Sequence, residues 1–139
     1  MAQTTERLPN GLLLHQDDRY FKLGQDSVLL SSFARPRRNA RVLDLCCGTG
    51  ALALLLYRPD LRMTGLELQE GALALFRRSI RDNGVDITAL QGDLREIRTL
   101  LPHGSMDYVV CNPPYFDRNA GKNAPAPEHR AARQDGTCT

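Results

Sequence analysis

Four apolar runs of the chain end in residues that could do chemistry. "RVLDLCCGTG" carries Asp44, Cys46, Gly48 and Gly50; "GLEL" carries Glu67 and Leu68; "QGDL" carries Asp93 and Leu94; "DYVVCNPPYF" carries Asn112, Pro113 and Tyr115. The last run cannot continue as a strand, because proline lacks the ladder N–H. In a doubly wound sheet the ligand lies beyond the C-terminal ends of the strands. Three carboxylates and an amide would then converge on one crevice. The glycines let backbone approach a ligand and open the next helix. Glu67, about 20 residues after the glycine loop, suits a ribose diol, since a carboxylate accepts two hydroxyl hydrogen bonds. Asp44 repels a pyrophosphate but attracts an ammonium group. Asp93 can accept from the exocyclic amine of adenine. A cation that carries amine, ribose and adenine is S-adenosyl-L-methionine, the expected cofactor. The segment from Gly48 to Ala53 also fits G-x-G-x-x-A, so an NAD-dependent enzyme is a weaker alternative. No metal site is expected.

These residues need elements to position them. "RVLDLC", "LRMTGLEL", "DITALQG" and "MDYVVC" read as four buried strands. Between them "ALALLLYR", "QEGALALFRRSIRDNG" and "DLREIRTLL" read as helices. In the second of these Leu73, Phe76 and Ile80 recur at helical spacing, and Asn83-Gly84 makes a good C-terminal cap. Strand and helix alternate, which implies βαβ units and a parallel sheet. Before them "GLLLHQ" and "RYFKLG" read as short strands. "QDSVLLSSFA" reads as a helix capped by Asp26 or Ser27. After Phe116 the chain is polar, rich in Ala, Pro and Arg, and reads as loop or disorder. The expected organisation is a preamble over 1–35, a cofactor-binding Rossmann-like core over 36–118 and a substrate-loop-like tail over 119–139.

Composition narrows the class. The chain has 139 residues, 42% hydrophobic and 24% charged, and fits one globular domain with a real core. A net charge of +2 gives no strong whole-chain field for nucleic acid. Residues 1–10 are polar, without the apolar stretch of a signal peptide. No apolar run approaches the ~20 residues of a membrane span. Cys46, Cys47, Cys111 and Cys138 lack zinc-type pairing. Reduced thiols, a cytoplasmic location and no membrane partner are expected.

"VLDLCCGTGALAL", "GLEL", "GDL" and "VVCNPPYF" together resemble the successive motifs of class I S-adenosylmethionine-dependent methyltransferases. The resemblance covers most of residues 41–116. It implies that Asp44 and the loop with Gly48 and Gly50 hold the methionine part of the cofactor. Glu67, with Leu68, would hold the ribose, and Asp93 and Leu94 the adenine. The family's loop usually reads G-x-G-x-G; here Cys46 stands in place of the first glycine and would crowd the cofactor modestly. The Asn-Pro-Pro-Tyr motif is similar to that of enzymes acting on planar amino groups: adenine N6, cytosine N4 or a glutamine amide. Such a nitrogen shares its lone pair with a π-system. Asn112 Oδ1 and the Pro113 carbonyl could accept its two N–H bonds and aim the lone pair at the methyl, while Tyr115 stacks on the target. Catalysis would be positioning and dipole stabilisation.

"RYFKLGQDSVLLSSFA", taken with that motif, resembles the bacterial enzymes that methylate N6 of adenine-37 in a valine tRNA. Gln25 to Ser27 would lie near the methionine end of the cofactor. "EHRAARQD" resembles the basic segment that meets substrate. The expected function is N-methylation of an adenine N6 amino group in RNA, with tRNA as substrate. The alternatives are glutamine-N5 methylation of a protein and a non-catalytic remnant that binds cofactor or RNA. A complete class I sheet has seven strands and this sequence supplies four, so the last three are expected to be missing. The strand "YVVC" would then be an exposed edge, open to self-association.

Overall fold

The computed structural model describes residues 3–20 and 23–112. Its centre is a four-stranded parallel sheet built from β3 (Arg41–Leu45), β4 (Arg62–Glu67), β5 (Ile87–Gln91) and β6 (Tyr108–Cys111), in the order β5-β4-β3-β6. The four expected strands are present and parallel. The chain steps outward from β3 to β4 to β5 and then returns past β3 to β6. Right-handed crossovers put the first two connections on one face and the third on the other. The first two are α2 (Ala51–Leu56) and α3 (Glu70–Asn83). The third is a 3-10 turn (Leu94–Glu96) continued by α4 (Ile97–Leu100). Helices thus flank both faces, as expected for a Rossmann-like methyltransferase sheet.

The main core lies on the face covered by α2 and α3. Val42 and Val110 from the strands meet Leu54, Leu73 and Phe76 from the helices, all of them buried. Alternation along each strand does this, since successive side chains point to opposite faces. Gly84 ends α3 in the left-handed conformation, φ 64°, and its N–H returns to the carbonyls of Arg81 and Ile80. That is the C-terminal cap read from Asn83-Gly84. On the other face α4 leaves a groove of about 610 Å³ between Leu43, Ile97, Leu101, Met106 and Val109.

The preamble departs from expectation. Its hairpin is β1 (Gln3–Arg7) against β2 (Leu13–Asp17), antiparallel, with Thr5 opposite His15. The described residues of "RYFKLG" form no strand: Arg19 and Tyr20 lie in a turn and Leu23 and Gly24 are irregular, while residues 21 and 22 lie outside the described set. β1 escapes a hydrophobic-pattern reading because all five residues are exposed. The turn makes it: Gly11, at φ 90°, donates to the Leu8 carbonyl, and Asn10 Oδ1 accepts from Leu12 N–H. The free edge of β2 is satisfied by side chains of α3. Asn83 pairs its amide with both backbone groups of Leu13 at 2.8 and 2.7 Å, and Ser79 Oγ accepts from His15 N–H at 2.9 Å.

Helix α1 (Gln25–Phe33) forms as expected, but its N-cap is Gly24, with no side-chain cap. Asp26 and Ser27 lie inside the first turn. α1 packs on α2. Among the described residues no helix is long and apolar enough to cross a membrane.

Candidate functional site

The parallel register brings the expected strand ends level. Leu45 lies opposite Leu66 on one side and Cys111 on the other, and Glu67 lies opposite Gln91. The residues that follow emerge at the same end of the sheet. They are the Cys46–Gly50 loop, Leu68, Gly92-Asp93 and Asn112. The expectation for Pro113 and Tyr115 falls on residues outside the described set, as do Phe21 and the whole 119–139 tail. The groove beside α4 contains none of the expected site residues. It lies along the sheet face and the loop before β6, away from the strand ends.

Asp44 is 2% exposed, and among the described residues its Oδ2 has no hydrogen-bond partner. Burial pushes its carboxyl up to about 8, opposed by the Ala53 backbone N–H and reinforced by the charge of Glu67. A buried carboxyl with an idle oxygen is costly unless a donor arrives. Glu67 is also buried, and burial raises its pKa. Its Oε1 accepts from Gly48 N–H at 2.8 Å and its Oε2 from Gln69 N–H at 2.9 Å. Those bonds tie the glycine loop to the start of α3, and the Leu68 backbone N–H also favours the ionised carboxylate. An ionised carboxylate offers about four acceptor sites, so capacity for a ribose hydroxyl remains.

The loop itself is strained at one position. Cys46 has φ 56°, where an L-side chain is disfavoured and glycine is not. The absent first glycine is therefore felt in the backbone as well as in side-chain volume. Cys47 and Cys111 are free. Burial raises the Cys47 thiol well above its usual range and the Cys111 thiol to about 11, with Asp44 adding to both. Both thiols stay protonated at neutral pH and are poor nucleophiles.

Asp93 sits where the sequence puts it but is already engaged. The Arg95 side chain holds both of its oxygens through three hydrogen bonds, and the Arg95 backbone N–H adds a fourth at 2.9 Å. Those hydrogen bonds hold the Asp93 carboxyl below its ordinary range. An adenine amine would have to share this carboxylate with a guanidinium. The spacing Asp93-x-Arg95 was legible in the sequence as an Asp turn that accepts from the second residue on. Leu68 and Leu94 are half-buried nearby, and Gln25 is exposed at the start of α1.

Asn112 follows β6 directly and is half-buried. Its Nδ2 donates to Ser27 Oγ at 2.9 Å, across 85 positions of sequence. The Gln25–Ser27 turn is thereby brought to the strand-end crevice. The pairing itself has no sequence signal beyond the presence of a serine in that segment.

The donor set suits S-adenosylmethionine: an unpartnered buried carboxyl for an ammonium group, and a second carboxylate with spare acceptor capacity for a ribose hydroxyl. It suits a pyrophosphate poorly.

A family model described as "Methyltransferase small domain" matches residues 23–128. The ribosomal protein uL3 glutamine methyltransferase of Bradyrhizobium diazoefficiens is 35% identical over 114 residues, covering 78% of this chain and 34% of that protein. The tRNA1(Val) (adenine(37)-N6)-methyltransferase of Tolumonas auensis is 30% identical over 132 residues, covering 88% of this chain and 52% of that protein. The chain thus spans about a third to a half of these curated relatives. Among solved structures, the T. thermophilus 16S rRNA N2 G1207 methyltransferase, in complex with AdoMet and guanosine, matches with a TM-score of 0.68 at 24% identity. That match covers 97% of this chain and 40% of that one, and at this identity the likeness is one of fold. The chain belongs to the methyltransferase small domain family.

Proposed function

We propose that the chain is an S-adenosylmethionine-dependent N-methyltransferase whose target is an adenine N6 amino group in RNA, with tRNA as substrate. The observation that carries this reading is the convergence of Asp44, Glu67 and Asn112 at one end of the sheet, with the Asp44 Oδ2 unpartnered and buried. Asp44 binds the ammonium group and Glu67 the ribose hydroxyls. Asp93 and Leu94 frame the adenine, with Arg95 yielding part of its hold. When bound, the cofactor supplies an electrophilic methyl group. Asn112 Oδ1 and the Pro113 carbonyl accept the two N–H bonds of the target amine, which frees its lone pair, and Tyr115 stacks on the ring. The surplus proton leaves to solvent after transfer, so no strong general base is needed.

The tRNA reading is supported by the likeness to the Tolumonas protein over 88% of this chain. Glutamine-N5 methylation is the second reading, favoured by the 35% identity to the Bradyrhizobium protein. One experiment separates them. S-adenosylhomocysteine and NAD are titrated first, then methyl transfer is assayed on unmodified tRNA and on a glutamine-bearing protein substrate. The expected result is binding of S-adenosylhomocysteine alone and methylation of tRNA. Asn112→Ala should lower turnover ~100-fold or more with cofactor affinity nearly unchanged. Binding of neither ligand overturns the cofactor reading, and NAD binding supports the dinucleotide alternative. Binding without turnover on either substrate points to a non-catalytic cofactor-binding chain.

A second copy of the chain is the proposed partner for the sheet edge. β6 is an edge among the described strands, and Val109 at its middle is 53% exposed beside the apolar groove. An unpaired apolar edge invites another strand. Light scattering should show an oligomer whose fraction rises with concentration, and Val109→Lys should reduce it. A monomer at every concentration would sink the idea.

A further inference from the structure

Helix α1 is tied to both ends of β6. In its first turn the buried Ser27 hydroxyl accepts the 2.9 Å bond from Asn112 Nδ2. Just beyond its C-terminus the Arg35 backbone N–H donates to the Tyr108 hydroxyl at 3.2 Å. Between these tethers α1 rises ~12 Å at ~1.5 Å per residue. From Tyr108 to Asn112 the strand rises a comparable ~13 Å at ~3.3 Å per residue. α1 therefore lies antiparallel to the edge strand, with Ser27 at the strand's C-terminal end. The other serines of the helix behave differently. Ser31 and Ser32 send their hydroxyls back to the Val28 and Leu29 carbonyls of α1 itself. Ser27 reaches across to the site.

A primary amide has a donor end and an acceptor end. With Nδ2 donating to Ser27 Oγ, Oδ1 is the end of the amide left for a donor in the crevice. A reversed amide would set its NH2 against the NH2 of an incoming amine, donor against donor. We propose that Ser27 is a positioning residue that fixes the Asn112 amide with its oxygen toward the target amino group, an inference that rests on the methyl-transfer reading above. In this role Ser27 acts through Asn112, by the hydrogen bond between them.

The test uses the whole chain labelled with 15N at asparagine, the Asn112 side-chain signal being assigned by its loss in Asn112→Ala. Hydrogen exchange at Asn112 Nδ2 should be roughly tenfold slower than at a free side-chain amide. Ser27→Ala should restore the free rate, and Ser27→Thr, which keeps the hydroxyl, should not. In methyl transfer, Ser27→Ala should lower kcat roughly tenfold with KM for S-adenosylmethionine and for RNA unchanged. Ser27→Thr should recover the loss, and Ser27→Ala should add nothing in an Asn112→Ala background. Exchange at Asn112 that ignores Ser27→Ala overturns the inference whatever the activity. Full activity in Ser27→Ala beside an inactive Asn112→Ala overturns it too and leaves the methyl-transfer reading standing. Parent-level activity in Asn112→Ala overturns the catalytic role of Asn112 and the positioning role with it.

Discussion

Gly50→Ala is expected to cost the chain a large share of its stability. Gly50 caps α2 at φ 95°, a conformation that L-residues rarely adopt. A Cβ there would also fall well inside contact distance of Phe76 Cδ1 and Cε1. Phe76 is fully buried and cannot swing away. On the far side of its ring a Cβ at Gly65 would lie 2.6 Å from Cε2 and 2.9 Å from Cys47 Sγ. Two glycines thus bracket one aromatic ring, and that close approach pins the cofactor loop and β4 against α3. The backbone penalty is ~1–2 kcal/mol, and forced overpacking adds ~1–3 kcal/mol. Against a domain stability of ~5–15 kcal/mol the sum is severe. Gly48→Ala is the control. Gly48 also has positive φ, 57°, but nothing lies within 4 Å of its would-be Cβ, so only the backbone penalty applies. Urea unfolding should rank Gly50→Ala well below Gly48→Ala, and Phe76→Leu should recover part of the Gly50→Ala loss. Equal losses at the two glycines would show that the ring plays no part.

Asp44→Asn is expected to stabilise the ligand-free chain near pH 8 while weakening its grip on S-adenosylmethionine. The sign follows from the direction of the shift. The folded carboxyl titrates near 8, above its ordinary 3.8. The stability it contributes is fully present below about pH 4 and is lost as pH rises towards 8, because ionisation is resisted in the fold and free in the unfolded chain. The slope for one such group approaches ~1.4 kcal/mol per pH unit. Glu67, also raised by burial, contributes in the same direction. Asn keeps the shape and removes the titration, so the slope of stability against pH should flatten in the variant. For the ligand the order reverses. On the proposed reading the ammonium group pairs with ionised Asp44, so binding below pH 8 releases a proton. Calorimetry in buffers of different ionisation enthalpy should detect it. Asp44→Asn should lose that proton and ~10–100-fold in affinity, the range for a charge-assisted hydrogen bond of ~1.5–3 kcal/mol. An unchanged pH slope, or an unchanged affinity, would count against Asp44 as the ammonium site.

The alternation of buried runs and helical periods in residues 41–111 determined the sheet by itself. Parallel strands need helical crossovers, and the acids and the amide stand at the run ends. Their convergence at one end of the sheet follows from topology alone. Asn83-Gly84 likewise announced the end of α3, because the left-handed cap is a local, glycine-specific conformation. The rest depended on neighbours distant in sequence. β1 shows no hydrophobic pattern, since all its residues face water, and only its pairing with β2 makes it a strand. The α1 cap falls on Gly24, and Ser27, a good local cap by residue type, lies inside the first turn and bonds Asn112. Asp44 and Asp93 look equivalent in the sequence as acids at strand ends. Packing leaves one buried with an idle oxygen, and Arg95 claims the other. Residue type and spacing state which groups can reach a site. Their charge, orientation and availability are set by burial and by partners that only the folded chain brings within a few ångströms.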